Sequence, residues 1–193
     1  MTQQLVLAST SPFRKQLLEK LHLDFSTANP QVNEDPLVGE SAIQLVERLA
    51  IAKAQAVSKD FPDALIIGSD QVCLNNDIIL GKPGNFEKAF QQLKAASGKH
   101  VRFYTGLAVV NSKTGAVQSL VEPFDVHFRI LSDEMITHYL KKEQPYNCAG
   151  SFKSEGFGIS LFNRFEGKDP NSLIGLPLIS LIEMLERENM PVL

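Results

Sequence analysis

Four apolar residues, Leu5-Val6-Leu7-Ala8, run directly into Ser9-Thr10-Ser11-Pro12. Few openings restrict a chain as much. The apolar run is too short for a helix and the right length for a buried strand. Ser11-Pro12 is a helix start: the serine can cap, and the proline suits the first helical position. Helical sequence continues through Gln16-Leu17-Leu18-Glu19-Lys20-Leu21. Strand, tight hydroxyl-rich turn and helix thus follow within one short segment.

Further along, residues 26–40 hold Pro30, Asn33, Asp35, Pro36 and Gly39 and read as a loop. Ser41 and Gln44 form a capping box for a second helix, with Leu45, Leu49, Ala52 and Ala56 on its apolar face. Residues 64–69 read as a second buried strand ending at Asp70, and 78–80 as a short strand before Gly81-Lys82-Pro83. A helix is expected over about 85–96. The β-prone stretches 101–111 and 116–129, joined by Lys113-Thr114-Gly115, predict a hairpin. Ser132 caps a helix over 133–143. Residues 150–175, rich in glycine and charge, read as a long functional loop region, and 176–188 as a final helix. The mixture predicts an α/β class with strands of both orientations.

A chain of 193 residues suits one domain or two tightly packed lobes, and 44% hydrophobic residues supply a real core. The net charge of -3 argues against a polymeric nucleic-acid partner, though a local cluster of Lys and Arg can still hold a small anion. Cys73 and Cys148 show no zinc-type spacing, so free thiols in a reducing compartment are expected. The first residues lack the basic and apolar regions of a signal peptide. No apolar run reaches the roughly 18 residues of a membrane span. A soluble, cytoplasmic protein is the expectation.

Several segments carry chemistry. Ser9, Thr10 and Arg14 surround a helix N-terminus, where backbone N–H groups and a guanidinium can hold a phosphate. Lys53 lies on the edge of an apolar helix face, from which it can enter a cleft or simply snorkel to water. Asp70 sits where an apolar strand gives out, a position suited to a cation ligand or proton acceptor and equally to a turn. Glu34 and Asp35 are candidate partners for it. Lys82 stands on a restrained turn, and Phe152-Lys153-Ser154-Glu155 joins an aromatic, a cation and a carboxylate, useful for reading a base. Taken singly, each of these has an ordinary structural explanation.

Their order changes the reading. LASTSPFR at 7–14, KA at 53–54, SDQV at 69–72, GKP at 81–83 and AGSFKSEGFG at 149–158 resemble, in sequence order, the motifs of the Maf family of nucleotide pyrophosphatases. The resemblance spans nearly the whole chain as a single unit, 1–193. It implies a two-lobed α/β fold of the Maf/Ham1 (ITPase-like) kind, with a long mixed sheet and a central cleft. It implies hydrolysis of a nucleoside triphosphate between its α and β phosphates, yielding the monophosphate and pyrophosphate with Mg²⁺ or Mn²⁺. Asp70 then stands where the family has its general base, with direct metal ligation by Asp70, and by Glu34, as the other role. Ser9, Arg14, Lys53 and Lys82 become phosphate contacts. The oligomeric state stays open, a homodimer included. The family's link to septum formation keeps open a second class, a nucleotide-binding regulator. Against that class, a pure binder has no use for Asp70, whose charge opposes phosphate unless a metal intervenes.

Three positions bear on the base. The family's dTTP/UTP branch has Arg, Thr and Gln where this chain has Phe13, Gln71 and Glu155. The chain is more similar to the 7-methyl-GTP branch, which commonly has Trp at the place of Phe13. Chemistry agrees. Methylation at N7 makes the base a cation, which gains from an aromatic face. Guanine offers N1–H and N2–H on one edge, and the Glu155 carboxylate can accept both and attract the positive ring.

Overall fold

The computed structural model describes residues 3–76 and 78–193. The caps expected from the sequence form. Helix α1 (Pro12–Glu19) starts with the Ser11 hydroxyl accepting from the Arg14 N–H. Helix α2 (Ala42–Val57) has the full capping box: Ser41 Oγ accepts from Gln44 N at 3.3 Å, and Gln44 Oε1 accepts from Ser41 N at 3.0 Å. Helix α3 (Phe86–Ala96) is capped by Asn85, and α4 (Asp133–Glu143) by Ser132. Two further helices, α5 (Pro170–Ile174) and α6 (Leu178–Arg187), follow near the end of the chain.

The strands are β1 (Gln4–Ala8), β2 (Phe25–Ala28), β3 (Ala64–Asn75), β4 (Ile78–Leu80), β5 (His100–Asn111), β6 (Val117–Phe128) and β7 (Phe162–Gly167). They form one sheet in the order β2-β1-β3-β5-β6-β7, with β4 paired to β3. β1 is parallel to both β2 and β3, while β3–β4 and β6–β7 are antiparallel, so the sheet is mixed as expected.

Three expectations need correction. Residues 25–28 form β2 rather than the start of a loop, because pairing with β1 satisfies their backbone despite their polarity. β3 does not end at Asp70. It runs twelve residues to Asn75, leaving Asp70 inside the strand, since ladder pairing outweighs a local polar signal. Residues 150–175 are not a long loop either. They hold a 3-10 turn over Phe157–Leu161, strand β7 and helix α5.

The chain divides into two units. The first comprises residues 1–71, 104–122 and 175–193, the second 72–103 and 123–174. In the first, Val6, Ala8, Ala54, Val57, Ala64, Ile66 and Val110 form a buried cluster beneath α2. Two glycines allow α2 to lie close on the sheet. A Cβ on Gly68 would stand 2.0 Å from the Ala50 carbonyl oxygen, and one on Gly106 2.2 Å from that of Val46. The second unit has its own aromatic core. Phe152 meets Phe103, Phe128 and Phe162 edge-on, with centroids 5.6, 5.6 and 4.8 Å apart. Cys73 and Cys148 are free thiols, and burial pushes both above the ordinary thiol pKa.

Candidate active site

Side chains alternate along a strand, so Gly68 and Asp70 face one side of β3 while Ser69 and Gln71 face the other. Gly68 meets α2, so Asp70 faces α2 as well. Lys53 lies on α2 one turn beyond Ala50, and its Nζ reaches Asp70 Oδ1 at 2.6 Å. The same ammonium lies 2.7 Å from Glu34 Oε1. Lys53 is 6% exposed and Asp70 8%, so this is a buried charge cluster and no snorkelling lysine. A buried ammonium left unpaired would be costly, and two carboxylates compensate it.

Glu34 sits in the loop before α2, and that loop is fastened by Arg48. The Arg48 guanidinium donates to Glu40 Oε1 and Oε2 at 2.6 and 2.8 Å and to the Asp35 carbonyl at 3.1 Å. This bidentate pairing holds the Glu40 carboxyl at about 2, far below its ordinary value. The Asp35 backbone thus anchors the loop, and Glu34 is the acid that reaches Lys53.

On the other face, the Gly175 carbonyl gathers the candidate Arg14 and Ser69, the neighbour of Asp70. It accepts from Arg14 Nε and from Ser69 Oγ, each at 2.9 Å. Gly175 has φ of +125°, a conformation side chains disfavour, which explains glycine here. Burial lowers the Arg14 pKa, and the charges of Asp70 and Glu34 work in the opposite direction. The guanidinium therefore belongs electrostatically to the same cluster.

The α1 N-terminus offers fewer backbone donors than a helix end can. Pro12 has no N–H, and the Arg14 N–H is taken by Ser11 Oγ at 3.4 Å. Buried Ser9 accepts from Ser11 N at 3.1 Å, and a serine hydroxyl that accepts can also donate. Phe13 is half-buried on α1. Gln71 donates from Nε2 to the buried Thr105 hydroxyl at 2.9 Å.

Lys82 and Glu155 belong to the second unit, and both are exposed. Lys82 lines an open pocket of about 430 Å³ with Pro83, Glu87, Lys88, Gln91 and Gln92. Among the described residues, the Glu155 side chain makes one long hydrogen bond, accepting from Ser154 Oγ at 3.4 Å. Sequence reasoning passed over Ser69, Gly175 and Thr105. A hint lay in the Gly175-Leu176-Pro177 step, whose glycine and proline mark a fixed turn.

Among the described residues no group of three His, Cys, Asp or Glu side chains gathers to hold a metal. Two carboxylate oxygens do converge on one cationic point, the Lys53 ammonium. Hard oxygen donors in that number fit Mg²⁺ or Mn²⁺, which commonly take one or two carboxylates and complete their shell with phosphate and water.

An arginine and a lysine from two helices, with a strand carboxylate and a loop carboxylate, mark an α/β protein suited to a phosphorylated ligand. The sequence profile described as Maf-like protein matches residues 4–188, and the chain belongs to that family. It is 59% identical over 190 residues to a 7-methyl-GTP pyrophosphatase of Vibrio vulnificus (strain CMCP6), covering 98% of this chain and 97% of that one. Among solved structures it is similar to the Staphylococcus aureus Ham1 protein, at 14% identity and a TM-score of 0.41. That match covers 65% of this chain and 71% of the other, too loose to transfer any residue's role. No helix among the described residues is long and apolar enough to cross a membrane.

Proposed function

We propose that this chain is a nucleoside triphosphate pyrophosphatase whose preferred substrate is 7-methyl-GTP. The 59% identity to a relative of that name, across nearly the full length of both chains, carries the reading. Hydrolysis adds one water across the α–β anhydride and releases the nucleoside monophosphate and pyrophosphate.

Residues of the first unit supply most of the phosphate chemistry. Lys53 has three N–H donors, two of them directed at Asp70 and Glu34, and the third serves a phosphate oxygen. Arg14 keeps its Nη groups for a second phosphate while Nε stays on Gly175. Ser9 donates its hydroxyl, and Lys82 adds charge to the polyanion. A divalent cation entering with the triphosphate supplies charge neutralisation and Lewis-acid polarisation of the phosphate. Asp70 and Glu34 are the side chains that would hold it. Asp70 takes the proton from the attacking water.

Phe13 and Glu155 read the base. An aromatic ring favours the cationic methylated guanine over neutral guanine, and a carboxylate matches its two N–H donors. Arg at the first position and Gln at the second would suit neither feature, which argues against dTTP or UTP. A hydrolysis screen over ordinary and methylated triphosphates, with Mg²⁺ and with Mn²⁺, tests both levels. Pyrophosphate release fastest on 7-methyl-GTP is expected. Equal rates on GTP and 7-methyl-GTP would overturn the preference, and absence of pyrophosphate release would overturn the reaction.

A further inference from the structure

The short turn that carries Glu155 is held at its ends by packing and between them by one helix. Phe152 anchors its start in the aromatic core of the second unit. Gly158 closes it, packed so tightly on Lys153 that a Cβ would lie 2.2 Å from the Lys153 carbonyl oxygen. Between these points α4 grips the turn twice. Tyr139 Oη accepts from Lys153 N at 3.2 Å. One turn along the same helix face, Glu143 Oε2 accepts from Phe157 N at 2.9 Å, and its Oε1 lies 3.2 Å from Lys153 Nζ. Gly156 rests on that carboxylate, with a built Cβ 3.1 Å from Oε2.

We infer that Glu143 is a positioning residue for base recognition, fixing the 153–158 turn and keeping Lys153 away from Glu155. Lys153 stands two residues before Glu155 and is the nearest cation in sequence. Paired with Glu155, it would cancel the charge meant for the base. Glu143 takes it instead, and among the described residues no ion pair holds Glu155. The carboxylate does two jobs: one oxygen orders the backbone beyond Glu155, and the other removes its competitor. The inference rests on the proposed reading of Glu155 as the base reader.

The test compares wild type, Glu143→Ala, Glu143→Gln and Gly156→Ala on 7-methyl-GTP and GTP, with KM and kcat measured separately. Glu143→Ala should lower the 7-methyl-GTP/GTP preference by about tenfold, the size of one charge-assisted contact, and do so through KM with kcat little changed. Glu143→Gln keeps an acceptor for Phe157 N and loses the ion pair, so its loss should be intermediate. Gly156→Ala presses on the same carboxylate from the turn and should shift the preference in the same direction, even if Glu143→Ala fails to fold. A selective wild type whose preference survives in the folded variants, or falls only through kcat, overturns the positioning role. An unselective wild type overturns the reading of Glu155 itself, and the positioning role with it.

Discussion

The Lys53–Asp70 cluster and the Glu155 turn both present carboxylates, yet they are built in opposite ways. Asp70 is 8% exposed, lies inside a twelve-residue strand and is compensated by a lysine from a helix pressed onto glycines. Glu155 is exposed on a turn, with no ion pair among the described residues and its neighbours held by hydrogen bonds from α4. The first arrangement couples chemistry to core packing. On the proposed role of Glu155, the second separates recognition from the core, so a base-reading residue there can change without unsettling the fold. Phosphates are the same in every nucleoside triphosphate, while bases differ. The proposed roles, a deeply built cluster for the constant part and a surface turn for the variable part, match that division.

The comparison breaks most directly at Asp70. Asp70→Asn should reduce turnover on every nucleotide by about a hundredfold or more, the usual contribution of a positioned acid–base group. Circular dichroism should show a folded protein. A variant retaining more than about a tenth of the wild-type rate would mean that the buried carboxylate is structural.

Gly68→Ala sharpens the coupling to packing. The new methyl would meet the Ala50 carbonyl at 2.0 Å, so α2 must lift and carry Lys53 with it. Overpacking of this kind costs about 1–3 kcal/mol. The thermal midpoint should fall by several degrees, and kcat/KM should fall alike for GTP and 7-methyl-GTP. A variant as stable and active as wild type would show that the close contact of helix and sheet does not set the cluster.

How much of this was legible in sequence differs between the regions for the same reason. The caps at Ser11, Ser41 and Ser132 are local, and each formed as the sequence predicts. The hairpin at Lys113-Thr114-Gly115 formed too, with Asn111 N donating to Ala116 O at 2.9 Å. What stayed hidden was long-range. Nothing near Lys53 shows that two carboxylates, 19 residues before it and 17 after it, will meet its ammonium. Nothing near Asp70 shows that the strand continues, because the ladder that extends it comes from other strands. The Gly175 carbonyl joins Arg14 and Ser69 across sequence separations of 161 and 106, which no spacing rule captures. The motifs named the candidate residues, and tertiary packing decided their partners.

On the other side of the comparison, Glu155→Gln should alter recognition and leave stability alone. The substitution removes the charge and sets an NH₂ against one guanine donor. The expected loss in kcat/KM for 7-methyl-GTP is about 1–3 kcal/mol, with the thermal midpoint unchanged because the exposed side chain makes one long hydrogen bond among the described residues. A large drop in thermal stability would place Glu155 in the scaffold and erase the contrast with Asp70.

The smallest effect is the most selective. Phe13 stands beside Arg14 on α1, so it belongs to the same unit as the buried cluster, while its proposed role is recognition. If the division between constant and variable parts is one of chemistry and not of location, Phe13→Ala should behave like the Glu155 variant and unlike the Asp70 one. A cation over an aromatic face gains roughly 0.5–2 kcal/mol, and only the methylated base is a cation. Phosphate contacts are common to GTP and 7-methyl-GTP and largely cancel in their ratio. Phe13→Ala should therefore narrow the kcat/KM gap between the two nucleotides by about two- to thirtyfold, with the GTP rate the less affected. Equal losses on both would make Phe13 part of the support for Arg14, moving it from the base-reading set to the phosphate-binding one.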